Sequence, residues 1–149
     1  TRVMASSSSN KSALAQQVWE RMFDYLMETS PERNQIMSDH GLTPNDSRAL
    51  FSLDSQEGRT MRSLAEAWRC DASNATWIVD RLERMELAER KSMPGDRRVK
   101  LVVLTEKGVA MKREVLRAIH TPPKDLLELD RKSLELLLRA LKGLPSKSQ

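Results

Sequence analysis

The 149-residue sequence predicts a mainly α protein with a single small β element. Two observations support this. Apolar residues recur at three- and four-residue intervals in several segments, the period of helices that face a core. One stretch departs from that period: Leu87 to Lys91 and Val99 to Leu104 are short strand-like runs around Pro94-Gly95, a pair that breaks a helix and turns the chain.

Residues 1–12, with a serine run at Ser6 to Ser9, hold too few apolar side chains to fold and are expected to be a disordered tail. Ala13 to Thr29 has a helical pattern, but Leu14, Val18, Trp19, Met22, Phe23, Tyr25, Leu26 and Met27 cover more than one stripe. A monomer would struggle to bury them all. Asp39-His40-Gly41-Leu42 ends a short second helix, and Thr43-Pro44-Asn45-Asp46 opens a third with a cap, a proline at the first helical position and an acid in the first turn.

Within Thr60 to Arg69, Met61, Leu64, Ala65 and Trp68 fall at the spacing of a short amphipathic helix. Only Cys70 separates that helix from Asp71, which can cap the next one. In this next helix Ala75, Ile78, Val79, Leu82 and Met85 share the core face, while Ser73, Trp77, Asp80 and Arg84 project the other way, flanked by Asn74, Thr76 and Arg81. Trp77 sits nearly opposite the core residues. Either a neighbouring loop or subunit covers it, or it meets nucleic acid. Asp80 and Glu83 would be repelled by phosphate unless paired, with Arg84 at i+4 from Asp80 and Arg81 adjacent to both. Arg81 is therefore either an intramolecular partner or a DNA contact.

The hairpin that follows has a basic tip, Arg97-Arg98, with Lys91 and Lys100 along its arms. Two helices joined by a short turn and followed by such a hairpin describe a winged helix-turn-helix, whose second helix enters the major groove with its N-terminal residues foremost. There Ser73, Asn74 and Thr76 can bond base edges or phosphates. Trp77 can donate one hydrogen bond and pack on thymine methyls. Arg81 and Arg84 can clamp the backbone or reach a guanine, and Arg97 and Lys100 suit phosphates.

Beyond the hairpin, Thr105 caps a helix running to about His120, Thr121-Pro122-Pro123 interrupts it, and Leu134, Leu136, Leu137, Leu138 and Leu141 mark a leucine-dense last helix. The expected organisation is thus a tail (1–12), N-terminal dimerisation helices (13–42), a winged helix-turn-helix region (43–104), C-terminal dimerisation helices (105–145) and a short tail (146–149).

The formal charge is +4, and residues 59–100 hold ten basic against seven acidic side chains. A mild basic excess in the winged segment fits a nucleic-acid partner. No triad, phosphate loop or metal constellation points to an enzyme. Cys70, His40 and His120 are not at ligand spacing, and a single cysteine permits no internal disulfide. No apolar run is long enough to span a membrane and there is no secretory segment, so the cytoplasm is the expected location.

The elements LAEAW, SNATWIVDRLERMEL, DRR and VVLTEKG, in this order from about Met61 to Gly108, resemble the MarR-type winged-helix transcriptional regulators. Where that family commonly has a glycine before the leucine that closes the recognition helix, this sequence has Glu86. The resemblance implies a homodimer on a pseudo-palindromic double-stranded operator, with half-sites roughly 10 bp apart. It makes Arg98 the minor-groove residue of the wing, oriented by Asp96 through a charge-assisted hydrogen bond. A narrow minor groove, with its enhanced negative potential, favours such an arginine.

The resemblance also implies a repressor relieved by a small effector, often an anionic aromatic compound. Trp19, Phe23, Met27, Met37 and Arg48 are suitable types for an apolar pocket with one cationic anchor, although each also fits core or surface. No cofactor is expected. Members that sense oxidants typically do so through a cysteine in the N-terminal helix, which has none here, so Cys70 reads as a small hydrophobe at a turn. The alternative function is a winged-helix module for protein partners without specific DNA binding; the polar Ser73, Asn74 and Thr76 and the Arg97-Arg98 tip favour DNA.

Overall fold

The computed structural model describes residues 2–146, with side chains from residue 8. It forms two compact units that divide after Ile119. In the first, helices α1 (Arg2–Glu28), α2 (Ser30–Asp39) and α3 (Pro44–Ser52) precede strand β1 (Arg59–Thr60), helices α4 (Met61–Trp68) and α5 (Ala72–Arg84), strands β2 (Ala88–Met93) and β3 (Asp96–Leu104), and α6 (Glu106–Ile119). The helix assigned to the N-terminus starts well ahead of Ala13, so residues 2–12, expected in the disordered tail, are helical. Most of the expected C-terminal tail, 147–149, lies outside the described residues.

Each helix start in the core unit has a local cause. Thr43 and Asp46 form a reciprocal capping box around Pro44. The Thr60 hydroxyl accepts the Ser63 N–H at 3.1 Å, and the Asp71 carboxylate accepts the Asn74 N–H at 2.7 Å. Helix ends are equally explicit. After α2, α4 and α5 the chain passes through a left-handed residue, Gly41 (φ 72°), Arg69 (φ 52°) and Glu86 (φ 61°). Around each, two backbone bonds satisfy the last carbonyls; after α5 these are Glu86 N–H to Glu83 O and Leu87 N–H to Leu82 O, both 2.9 Å. Glu86 thus adopts the conformation that a glycine takes without strain.

The core sits where α3, α4, α5 and the sheet meet. Leu50, Leu53, Leu64, Ile78, Val79, Leu82, Leu87, Val102 and Val115 are fully buried. Truncating Leu82 to alanine would cost about 2–5 kcal/mol. Trp68 is also buried and donates its indole N–H to the Ser52 hydroxyl at 2.9 Å. The sheet is antiparallel in the order β1-β3-β2, and β1, pairing Arg59 with Val102 and Thr60 with Leu101, is an element that sequence period did not reveal. At the root of the hairpin, a Cβ on Gly108 would lie 1.9 Å from the Leu87 carbonyl oxygen, so only glycine lets α6 approach that strand so closely.

The second unit contains α7 (Lys124–Leu127) and α8 (Arg131–Leu141). The Asp130 carboxylate caps α8 by accepting the Ser133 N–H at 2.8 Å. The leucine-dense helix is α8, and Leu136, Leu137, Leu138 and Leu141 are exposed on it. No helix among the described residues is long and apolar enough to cross a membrane.

Candidate nucleic-acid interface

Helix α5 buries Ala75, Ile78, Val79 and Leu82 and leaves Ser73, Asn74, Thr76, Trp77, Asp80 and Arg84 exposed. The core face and the outward face fall as their spacing indicated. At its start the Asn74 backbone N–H, followed by the Ser73 hydroxyl, holds the Asp71 carboxyl below its ordinary pKa. The Ser73 hydroxyl donates to Asp71 at 2.9 Å and the Thr76 hydroxyl to the Ala72 carbonyl at 2.9 Å, leaving their lone pairs outward. Trp77 is 51% exposed in the single chain.

Arg81 does not pair with Asp80 or Glu83. It reaches α3 instead, where its Nε and Nη2 lie 3.0 and 2.8 Å from the two carboxylate oxygens of Asp46. Asp46 is fully buried, while Arg81 keeps 28% of its side chain in solvent. Burial pushes the Asp46 carboxyl up, but hydrogen bonds from Arg81 and from the Thr43 backbone and hydroxyl, with the arginine charge, outweigh it and hold the pKa below the ordinary value. Of the two roles open to Arg81, the structure shows the intramolecular one.

The acids are paired from the sheet, two carboxylates sharing one arginine. Arg90 on β2 places Nη2 2.9 Å from Asp80 and also pairs with Glu83. The expected pairing of Asp80 with Arg84 does not form; Arg84 is exposed and makes no ion pair among the described residues. Arg90 and Asp46 are the site residues that sequence reasoning missed. Arg90 was within reach, because a strand reversing at Glu86 must run back past Glu83. Asp46 gave no local signal, being 35 residues from its partner.

The wing carries its charge on an irregular tip. Pro94 and Gly95 (φ 85°) link Met93 to Asp96, as in a turn that requires positive φ at its second central residue. From Ala88 opposite Leu104 to Ser92 opposite Lys100 the pairing is regular; the next pair is Met93 with Asp96, so Arg97, Arg98 and Val99 have no counterpart on β2. Arg97 and Arg98 are exposed and form no ion pair among the described residues. Asp96 accepts the backbone N–H of Arg98 at 3.0 Å, so it shapes the turn rather than clamping the guanidinium as expected. Lys100 Nζ donates to the Ser92 hydroxyl at 2.8 Å, which ties it to the opposite arm of the hairpin.

The five residues considered for an effector are not brought together. Trp19, Phe23 and Met27 lie exposed along α1, the first two with ring centroids 6.3 Å apart. Met37 packs against the core from α2, and Arg48 is exposed on α3 beside Asn45. Their residue types were right for a pocket, but a pocket needs convergence and α1 turns its apolar stripe outward. A cleft of about 430 Å³ lies elsewhere, between the root of the wing and α6, lined by Ser55, Lys91, Leu104, Val109 and Arg113 among others. No cluster of potential metal ligands exists among the described residues.

The segment 42–100, which holds α3, α4, α5 and most of the wing, matches the MarR family model. The chain is 30% identical over 82 residues to the HTH-type transcriptional regulator MhqR of Bacillus subtilis, covering 55% of this chain and 57% of that one. It thus spans little more than half the length of that relative. It is 35% identical over 119 residues to the transcriptional repressor MprA of Escherichia coli, covering 70% of this chain and 68% of that one. In fold it is similar to YusO of Bacillus subtilis, with a TM-score of 0.71 at 25% identity over 88% of this chain and 94% of that one. The S. aureus MepR–DNA complex shares the fold at a TM-score of 0.61 and 22% identity, over 86% of this chain and 99% of that one. The family match centred on the α4–α5 pair and its hairpin, together with the similarity to MprA, establishes that the chain belongs to the MarR family.

Proposed function

We propose that the protein is a homodimeric transcriptional regulator that binds a pseudo-palindromic double-stranded operator and represses until a small anionic or aromatic molecule releases it. The observation that carries this reading is the shared exposure of Ser73, Asn74, Thr76, Trp77 and Arg84 on α5 and of the Arg97-Arg98 tip on the wing. The first set suits base edges in a major groove, and the second a flanking minor groove. Pairing of Asp80 and Glu83 with Arg90 offsets one of the two negative charges and so lessens the repulsion that phosphate would otherwise meet. MepR binds DNA and MprA is a repressor by name, which supports the same role here. The place of action is the cytoplasm.

Association as a homodimer is supported by the apolar residues that α1 leaves exposed, among them Leu14, Val18, Trp19 and Phe23. Two-fold symmetry would set the half-sites about one helical turn apart, roughly 10 bp. The test is selection from a random DNA pool, followed by mobility shift with and without aromatic carboxylates, and sedimentation to read the oligomeric state. Enrichment of a two-fold motif by a dimer supports the reading. If no sequence enriches, the chain is a protein-binding module instead.

A further inference from the structure

We infer that Arg81 is a positioning residue: anchored by Asp46 on α3, it fixes the indole of Trp77 and so sets the base preference beneath that ring without itself touching DNA. This rests on the reading of α5 as the recognition helix.

The anchor is stiff for three reasons. The Asp46 carboxylate is fully buried and already held by the Thr43 N–H at 2.9 Å, as part of the capping box that starts α3. Arg81 meets both oxygens with two nitrogens of one planar group, a geometry that leaves the guanidinium no rotational freedom. The carboxylate cannot swing toward solvent, because α3 is packed through Ala49 and Leu50 into the core.

On this anchor rests the ring. The Arg81 guanidinium carbon lies 5.4 Å from the Trp77 ring centroid, within reach of a cation–π interaction. With half its surface in solvent, Trp77 has no buried pocket to hold its rotamer. The guanidinium beside it supplies that restraint. An indole already fixed loses less freedom on docking and presents one face in a constant place, where apolar contact distinguishes a thymine methyl from the other bases. Base preference at that step then depends on Asp46, a residue on a different helix.

The experiment compares selected DNA motifs and salt titrations for the unaltered chain, Trp77→Ala, the double variant Asp46→Asn/Arg81→Gln, and Arg81→Lys. The double variant replaces the ion pair by neutral amides, so no bare charge is left buried. Its preference should drift toward that of Trp77→Ala at the same base positions, with discrimination falling about two- to fivefold, while the slope of log K against log salt stays unchanged. Arg81→Lys keeps the charge for Asp46 but not the planar fork, and should give an intermediate preference at an unchanged slope. A slope shallower by about one unit in the double variant would place Arg81 on a phosphate and overturn the inference. Unaltered preference at unaltered slope would reduce Arg81 to a fold-holding residue and overturn it too. Should the double variant not melt cooperatively, Arg81→Lys decides by the same two readouts. If the unaltered chain enriches no sequence, the DNA reading itself fails; if it enriches and the variants match it, only the role of Arg81 does.

Discussion

On α5 three of the four charged side chains are tethered, Arg81 to Asp46 and both Asp80 and Glu83 to Arg90, and Arg84 alone is left exposed without an ion pair among the described residues. On the wing tip Arg97 and Arg98 are exposed without an ion pair among the described residues, and what Asp96 holds there is backbone. The two regions offer DNA similar chemistry in opposite mechanical states. A helix that reads base edges profits from side chains fixed beforehand, because each hydrogen bond or methyl contact demands a set position. An arginine entering a groove of variable width can afford to settle on arrival, with rotamer entropy as the cost.

The largest effect should come from cutting the tether. Asp46→Ala leaves Arg81 without its partner and opens the α3 cap, and should lower unfolding stability by about 3 kcal/mol in a urea titration, less than for a fully buried pair because Arg81 is partly solvated. A change below about 1 kcal/mol would mean the tether is ornamental. Next is the free arginine: Arg98→Ala should weaken operator binding by about 1–3 kcal/mol with little change in melting temperature. Equal loss of stability and binding would show that the tip is not mechanically independent.

Acid should loosen the tie between α5 and α3. The Asp46 pKa is lowered on folding, so its contribution is present above the ordinary carboxylate value of 3.8 and fades as pH falls through the folded value. His40 behaves oppositely. Its Nδ1 lies 2.7 Å from the Ile36 carbonyl and its Nε2 3.4 Å from Glu114, and the backbone bond, against some desolvation, with help from Glu114, raises its pKa above 6.5. Its contribution is full below pH 6.5 and disappears as pH rises through the raised value. Urea midpoints across pH should therefore decline toward acid less steeply in Asp46→Asn/Arg81→Gln than in the parent, where Asp71 contributes as well, and the decline above pH 6.5 should shrink in His40→Gln.

The smallest effect concerns the end of α5. Glu86→Gly removes the strain of a left-handed non-glycine residue, about 1–2 kcal/mol, against a chain-entropy cost of about 0.5–1 kcal/mol, so a net gain near 0.5 kcal/mol is expected by thermal melting. Its salt bridge to Lys107, at 3.4 Å and exposed, is too weak to reverse the sign.

How far the sequence could be read follows from the range of each interaction. The faces of α5, the caps at Thr43 and Asp71 and the Pro94-Gly95 turn depend on neighbours within four residues, and the helical and strand periods display them. Asp46 with Arg81, and Arg90 with Asp80 and Glu83, are set by tertiary geometry; reasoning along one helix offered Asp80 the i+4 partner Arg84 and set Arg81 beside both acids instead. The bulge at Arg97 to Val99 was hidden for a related reason, since alternation along a single strand does not reveal which residues lack a counterpart across it. The effector residues were chosen by type, and only the placement of α1 showed that they do not converge.

The three wing residues that have no partner on β2 carry one more consequence. An exposed dibasic segment that bulges out of the strand pairing at a hairpin tip is the kind of site at which trypsin-like proteases nick a folded chain. The peptide bonds after Arg97 and Arg98 are therefore a built-in reporter: their rate of cleavage measures how often the wing is empty, and a ligand that covers the tip would be read as protection at those two bonds.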